Sequence, residues 1–259
     1  MITIKNKSAL AKMEQAGKLL LEVMHDVAAL LKPGVSTLEI DTWIEKELRA
    51  KGLVPRTKGY SGYKHASFIS VNDGLIHGVP HADLILQDGD LVKIDVIASW
   101  KGYCADMARM FFVGAAPSEA IETFVAVAQR ALDKGIEKAR AGNHLSDISA
   151  AIQKEVEDSG FQVVRDFAGH GIGRYVHEEP EIPNYGTPGK GPVLRPGMVL
   201  AIEPMITMGG YEVEVIDDGW TVKTCDNSLA AHVEDTVVIT ENDPKILTRR
   251  EQQTGGIDL

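Results

Sequence analysis

The sequence predicts an α+β fold that is built from two similar halves. Three observations indicate this fold. Helix-like segments and then strand-like segments follow one another twice along the chain, one constant offset aligns the two series, and that offset also aligns acidic residues within apolar runs. We therefore expect one domain over 1–259, with halves at about 8–114 and 117–240 and a short polar tail over Gln252–Leu259.

The first half begins with two predicted helices. Apolar residues recur at helical spacing over Ser8–Leu31, and the run Lys32-Pro33-Gly34 ends that helix. Ser36 and Glu39 have the spacing of a capping box, which starts a second helix that ends near Gly52. Strand-like runs follow at Ser67–Val71, Leu91–Ala98 and Tyr103–Val113.

The second half repeats this order. A helix is predicted over about Ser118–Arg140, Gly142 interrupts the pattern, and a further helix ends at Gly160. Strand-like runs then follow at Gln162–Val164, Met198–Ile206, Tyr211–Val215, Trp220–Thr224 and Ala231–Thr240.

The offset between the halves aligns more than the helices. It superposes Lys32–Leu53 on Arg140–Phe161, and similarity between two amphipathic helices alone can arise by chance. The same shift also places Asp95, in LVKIDVIA, on Glu203, in MVLAIEPMI. Acidic residues inside apolar strands are uncommon, so their coincidence favours a true structural repeat related by a pseudo-two-fold axis.

The acidic residues in the strands predict a metal centre. One such residue is usually a rim or capping residue, but a hairpin that turns at Trp100-Lys101 would place Asp95 directly opposite Asp106. Opposed carboxylates repel each other, and the second half would add Glu203 and Glu234 to the same place. Four converging negative charges call for divalent cations.

The run FAGHGIGRYVHEEP suggests a nitrogen ligand for such a centre. His170 lies between two glycines, which permit a close approach of the backbone, and we expect it to enter the carboxylate cluster. The alternative is a phosphate-binding loop, but that motif needs a following helix, and Arg174–Pro180 does not look like a helix start. HExxH and CxxC motifs are absent from the sequence.

The composition of the ligand set constrains the metals. Four carboxylates and one imidazole favour manganese, iron(II) or cobalt(II), with zinc as an alternative. Because five protein ligands are few for two ions, the two metals would share bridging carboxylates and a bridging water.

Several motifs together resemble the type I, bacterial-type methionine aminopeptidases of the pita-bread fold over nearly the whole chain. They are HGVP from His77, DGDLVKIDV, GYCADMARMFFVG, GHGIGRYVHEEP, LRPGMVLAIEP and DGWTVKTCDNSLAAHVEDT. The resemblance implies two pseudo-symmetric halves with a central antiparallel sheet covered by helices. It also implies removal of the N-terminal methionine from nascent or newly made proteins, with a preference for a small second residue.

The resemblance implies roles for the ligands as well. Asp95 would bind one metal, His170 and Glu203 the other, and Asp106 and Glu234 would bridge both. Glu203 would also relay a proton from the attacking hydroxide toward the leaving amine.

Further residues are implied to contact the substrate rather than the metals. The catalytic histidines would be His77 and His177, and the methionine pocket would be formed by Tyr60, Tyr63, Phe68, His77, Val176, His177 and Trp220. Phe68 departs from the cysteine that is usual in the bacterial enzymes, and Val176 from a common aromatic residue; we interpret the pair as a compensated pocket. His232 and Asp235 are further departures. A monovalent cation held by backbone carbonyls near Asn72 is also implied.

Composition and charge exclude other classes of protein. A net charge of −10 argues against a nucleic-acid surface, and no apolar run is long enough to span a membrane. The two cysteines and the lack of a signal sequence favour the cytoplasm. We expect a monomer, with transient ribosome contact implied by the resemblance.

Three alternatives stay open at this point. The chain could be another enzyme of the same fold that cleaves X-Pro bonds or acts on creatine-like substrates, although those relatives usually carry an extra N-terminal domain and this chain begins at its first helix. It could be a type II methionine enzyme, but the short segment between His170 and Glu203 leaves little room for the helical insertion of that type. It could also be a pseudoenzyme that binds RNA or protein, although such proteins lose ligands.

Overall fold

The computed structural model describes residues 1–250, and the polar tail predicted over Gln252–Leu259 lies outside the described residues. The helices are α1 (Lys7–Val27), α2 (Thr37–Ala50), α3 (Glu119–Lys138) and α4 (Leu145–Asp158). The strands are β1 (Val54–Pro55), β2 (Phe68–Val71), β3 (Gly74–Ile76), β4 (Leu91–Trp100), β5 (Tyr103–Phe112), β6 (Gln162–Val163), β7 (Ala168–Gly171), β8 (Glu178–Pro183), β9 (Val199–Ile202), β10 (Met205–Thr207), β11 (Val213–Val215), β12 (Val222–Thr224), β13 (Ala230–His232), β14 (Glu234–Val238) and β15 (Lys245–Ile246).

The second helix of each half begins in the same way. In α2 the predicted capping box is present, because the Glu39 amide donates to Ser36 Oγ at 3.2 Å and the Ser36 amide donates to Glu39 Oε2 at 2.9 Å. In α4, the equivalent helix of the second half, His144 is the N-cap, and its amide donates to Asp147 Oδ2 at 2.8 Å. Gly34 and Gly142, which precede these caps, both have a φ of +92° that favours glycine.

A nine-stranded antiparallel sheet forms the centre of the molecule. Its order is β1-β4-β5-β14-β9-β7-β8, with β2 also beside β4 and β15 also beside β14. Contact between β5 and β14 joins the strands of the first half to those of the second. Two three-stranded sheets, β13-β10-β6 and β11-β12-β3, flank it. The predicted α+β fold is confirmed, while the boundaries of the halves at 8–114 and 117–240 stay a prediction.

The predicted register of the β4–β5 hairpin is wrong by two residues. Asp95 lies opposite Ala108, and Asp106 lies opposite Ile97, because the chain turns at Lys101-Gly102 rather than at Trp100-Lys101. Both turn residues have positive φ, 48° and 77°, which suits a two-residue hairpin loop. A shift of two residues leaves each side chain on the same face of the sheet, so the two carboxylates remain neighbours on a diagonal.

Two runs predicted as single strands are each divided. Met198–Ile206 forms β9 and β10, which are separated by Glu203 and Pro204, and Ala231–Thr240 forms β13 and β14. Pro204 has no amide hydrogen to continue the ladder, and its carbonyl accepts a hydrogen bond from the Val233 amide instead. The break places Glu203 at the end of β9.

The two faces of the central sheet have different surroundings. Helices α1 and α2 cover Ile94 and Val96 of β4, and α3 and α4 cover Leu200 and Ile202 of β9. The alternate residues of these strands point away from the helices. We call the two sides the helix face and the cavity face. No helix within residues 1–250 combines the length and apolar character needed to cross a bilayer.

Candidate metal centre

Five neighbouring strands of the central sheet each contribute one predicted ligand to the cavity face. In the order of the sheet, these strands are β4, β5, β14, β9 and β7. Their ligands are, in the same order, Asp95, Asp106, Glu234, Glu203 just beyond the strand end, and His170. Residues from both halves of the chain therefore meet because their strands are adjacent, and all five line one cavity of about 160 Å³.

The distances within this group suit metal coordination. One ligand atom from each of Asp106, His170 and Glu234 can be chosen so that all three lie within 4.8 Å of one another. His170 Nε2 lies 3.7 Å from Asp106 Oδ2 and 3.6 Å from Glu203 Oε1. These separations are too long for hydrogen bonds but fit side chains that share a cation at about 2.0–2.2 Å from each ligand.

The described part of the chain supplies no lysine or arginine partner to the cluster. Within residues 1–250, no lysine or arginine forms an ion pair with Asp95, Asp106, Glu203 or Glu234. Three of their buried oxygens, one each in Asp95, Asp106 and Glu234, also lack any hydrogen-bond partner in this part of the chain. Buried oxygens of this kind are costly unless something binds them, so the residues present fit divalent cations.

The same conclusion follows from the electrostatics. Burial raises the pKa of Asp95 to about 6 and raises the pKa values of Asp106, Glu203 and Glu234 well above the ordinary range. Like charges add to this effect, since Asp95 and Glu203 each raise the pKa of Asp106 further. A cation in the cluster would reverse the balance by favouring the ionised carboxylates.

His170 is oriented so that one ring nitrogen faces the cluster. Its Nδ1 lies 2.9 Å from the Gly171 carbonyl oxygen, which places the proton on Nδ1 and leaves the Nε2 lone pair available. A side chain at Gly169 would meet the Ala201 carbonyl at 2.5 Å, and one at Gly171 would meet the Glu179 carbonyl at 2.1 Å. The glycines therefore allow β7 to fit between its neighbours. The next element after these glycines is the strand β8 rather than a helix, which excludes the phosphate-binding loop.

The two other predicted histidines lie on the wall of the same cavity. The ring centroid of His177 is 4.4 Å from that of His170, and His177 Nδ1 is 2.9 Å from the hydroxyl of Tyr60. His77 has a left-handed backbone, with φ of 56°, which is unusual for a residue other than glycine. Burial lowers the pKa of His77 to about 4 and also lowers the pKa of His177, so both are neutral near pH 7.

Aromatic and aliphatic residues form much of the rest of the wall. Of the residues predicted for the methionine pocket, four line this cavity: Tyr60, Phe68, Val176 and Trp220. Tyr63 lies one layer behind: its ring packs at 4.4 Å from Phe68 and 4.9 Å from Trp220, measured between centroids, and its hydroxyl donates to a backbone carbonyl. It therefore supports the wall without lining it.

Phe167 and His232 also lie at this site, and neither was predicted to contact the substrate or a metal. Phe167 lines the cavity with its ring 6.1 Å from that of His77, and its only signal was its position at the start of the glycine-rich run. His232 was noted as a departure, and its Nε2 lies 3.4 Å from Glu203 Oε2 with no hydrogen-bond partner among the described residues. Burial lowers the pKa of His232 to about 4.

Comparison with known proteins gives the family. The model of metallopeptidase family M24 matches residues 11–241. A methionine aminopeptidase of Clostridium perfringens is 48% identical over 248 residues, which cover 96% of this chain and 99% of that protein. Methionine aminopeptidase 1 of Bacillus subtilis is 43% identical over 249 residues, covering 96% of this chain and all of that protein.

Solved structures give the same result. The crystal structure of methionine aminopeptidase from Thermotoga maritima superposes with a TM-score of 0.94 and 43% identity, covering 96% of this chain and 100% of that one. Prolidase from Pyrococcus furiosus superposes with a TM-score of 0.78 and 25% identity, and the match covers 66% of that chain. The chain therefore belongs to metallopeptidase family M24, as a metal-dependent hydrolase of the methionine aminopeptidase group.

Proposed function

We propose that this protein removes the N-terminal methionine from newly made proteins, with a preference for a small second residue. The observation that carries the proposal is a set of buried, unpartnered carboxylate oxygens that faces a small aromatic cavity. Such a cavity suits an unbranched apolar side chain, and the carboxylates suit two divalent cations. Homologues named methionine aminopeptidase support this choice of substrate.

The five ligands would hold the cations between the cavity and the sheet. Asp95 would bind one ion, His170 and Glu203 the other, and Asp106 and Glu234 would bridge them. When bound, the two ions would supply a water of lowered pKa as the nucleophile and polarise the carbonyl of the scissile bond.

Three side chains would move or hold the reacting groups. Glu203 would accept the proton of the attacking water and deliver it to the leaving amine. His177, which Tyr60 contacts at Nδ1, would present its other nitrogen to the oxygen that becomes negative. His77 would hold the amide side of the scissile bond, in a conformation that the chain maintains at φ 56°.

The decisive assay uses the tripeptide Met-Ala-Ser with protein that has been treated with chelator and then titrated with Mn²⁺, Fe²⁺, Co²⁺ or Zn²⁺. We expect release of free methionine that depends on the metal and reaches a plateau near two ions per chain. N-acetyl-Met-Ala-Ser is the control, because it lacks the free amine that the site would bind. Cleavage of the acetylated peptide, or cleavage of Ala-Pro in preference to Met-Ala-Ser, would contradict the proposal.

The pocket allows a narrower test. Phe68 and Val176 would leave room for methionine but not for a side chain branched at Cγ, so turnover of Met-Ala-Ser should exceed that of Leu-Ala-Ser by about 10–200-fold. Equal turnover of the two peptides would mean that Phe68 and Val176 do not together form a pocket sized for methionine. The cytoplasmic location, the monomeric state and transient ribosome contact stay predictions.

A further inference from the structure

A buried lysine lies at the junction of the three sheets. Lys93 is only 1% exposed, and it extends from β4 on the cavity face, two residues before Asp95. Its amine donates to the Asn72 carbonyl oxygen at 2.7 Å and approaches the Leu91 carbonyl oxygen at 3.4 Å. Among residues 1–250, it forms no ion pair with a carboxylate, although buried lysines are usually paired in that way.

Asn72, whose carbonyl accepts this hydrogen bond, also contacts several other elements. Asn72 lies in the turn between β2 and β3, with a left-handed φ of 51°. Its carbonyl also accepts from the Ala230 amide at 3.2 Å, and its side chain bonds Asp90 and the Leu91 amide. Lys93 is thus the cationic group at a point where β4, the β2–β3 turn and β13 meet.

These contacts do not fit the monovalent cation that the resemblance implies near Asn72. A bound ion needs several free carbonyl oxygens directed at it, whereas the Asn72 carbonyl already accepts two hydrogen bonds. The Leu91 carbonyl likewise accepts the Asn72 amide at 2.9 Å, besides the lysine. The amine of Lys93 occupies the volume next to both oxygens.

We propose that the Lys93 amine takes the place of this monovalent cation, so that the protein needs no sodium or potassium ion at the β2–β3 turn. A tethered amine supplies positive charge and donors to the carbonyl oxygens but carries no binding equilibrium with the solvent. Its role is positional, because β2 carries Phe68 and β3 leads directly to His77, both of which line the cavity.

The contact does not depend on the protonation of the amine. Burial lowers the pKa of Lys93 to about 7, and the charges of Asp73 and Asp90 oppose this shift. A neutral amine still has two N–H groups, one for each of the two carbonyl oxygens. In either state its volume keeps an ion away from them.

The test compares three proteins in buffers of equal ionic strength that contain tetramethylammonium, sodium or potassium chloride. The first readout is the melting temperature of chelator-treated protein, which needs neither catalysis nor divalent metal. We expect the wild-type melting temperature to be the same in all three salts. Lys93→Ser vacates the site, and its melting temperature should fall in tetramethylammonium and recover by several degrees in sodium or potassium. Lys93→Met fills the volume without donors, so it should be destabilised equally in all three.

The second readout is turnover of Met-Ala-Ser with saturating Mn²⁺. For Lys93→Ser, the KM should rise about tenfold in tetramethylammonium and recover in sodium or potassium, while the wild-type KM stays constant. A sodium- or potassium-specific rise in wild-type melting temperature would overturn the proposal, as would folded Lys93→Ser that responds to neither ion. If Lys93→Ser does not fold, the melting temperature of the wild type in the three salts still tests whether the site binds sodium or potassium. Failure of the peptide assay alone would count against the proposed function and leave the melting result intact.

Discussion

Two adjacent carboxylates in β14 occupy opposite faces of the central sheet, and their pKa values are shifted in opposite directions. Asp235, on the helix face, accepts from Arg109 Nη2 at 2.8 Å and from Thr248 Oγ1 at 2.7 Å, and it also pairs with Arg249. Burial raises its pKa, but the two arginines outweigh burial and lower the pKa below the ordinary value. Glu234, on the cavity face, pairs with no arginine or lysine side chain among residues 1–250, and burial raises its pKa well above the ordinary value.

The two faces of the sheet thus hold carboxylates in different electrostatic surroundings. On the helix face the chain supplies its own cations, and Arg249 extends the network to Asp133 of α3. On the cavity face the chain brings four carboxylates together without a lysine or arginine partner in residues 1–250. The paired carboxylate belongs to a structural charge network, whereas the four unpaired carboxylates fit divalent cations taken from the solvent.

Among substitutions on the cavity face, we expect Glu203→Gln to cause the largest loss of turnover. We expect kcat for Met-Ala-Ser to fall by about 10³–10⁵-fold, because the proton acceptor and one charged ligand are lost together. The melting temperature of the metal-free variant should not fall, since one of the repelling charges has been removed. Turnover at the wild-type rate would mean that Glu203 has been assigned the wrong role.

Asp235→Asn removes the central charge of the ion-pair network on the helix face. It leaves two buried arginines without their full counter-charge and should lower the free energy of unfolding by about 3–5 kcal/mol in urea titrations. Asp243→Asn is a matched control, because Asp243 pairs with Arg140 at the surface with 80% of its side chain exposed. That variant should lose less than about 1 kcal/mol. Equal losses would show that the helix-face network is no stronger than a surface pair.

His177→Ala sharpens the distinction between ligands and substrate contacts within the cavity face. We expect kcat to fall by about 10²-fold, because the developing oxyanion loses one donor, while the metal content measured by elemental analysis stays unchanged. Tyr60→Phe removes only the hydroxyl that contacts His177 and should cause a smaller loss. Disappearance of a metal from His177→Ala would identify that histidine as a ligand.

Asp95→Asn tests the pH dependence of the cavity face. In metal-free protein, Asp95 has a folded pKa of about 6 against an ordinary value of 3.8, so it stabilises the fold fully below pH 3.8. That contribution is lost as the pH rises through 6. The stability of the wild type relative to Asp95→Asn should therefore fall by roughly 2–3 kcal/mol between pH 4 and 7.5.

Urea titrations of both chelator-treated proteins across this pH range measure the difference. With saturating Mn²⁺, the stability of the wild type relative to Asp95→Asn should instead increase as the pH rises, since metal binds the ionised carboxylate. A difference that is independent of pH in the metal-free proteins would mean that Asp95 is not held in an environment that disfavours its charge.

Much of the local structure was accessible from sequence because local rules govern it. The predicted cap at Ser36 and Glu39 is present, and α4, which the predicted repeat aligns with that helix, begins with His144 and Asp147 at the same spacing. The hairpin register was missed, because it depends on which residues of Trp100-Lys101-Gly102 form the turn. Pro204 was a visible signal for the division of the β9–β10 run, yet the continuous apolar pattern around it favoured one strand.

The amino-acid sequence by itself determined the repeat, the helix caps and the choice of ligand types, because spacing and chemistry are local properties of a chain. The tertiary structure alone decided that the five predicted ligands follow the order of five adjacent strands, that Asp235 faces arginines, and that Lys93 reaches Asn72. Each of these depends on which strands pair and which face each side chain takes. Strand pairing joins residues far apart in sequence, and a shift of one residue exchanges the two faces.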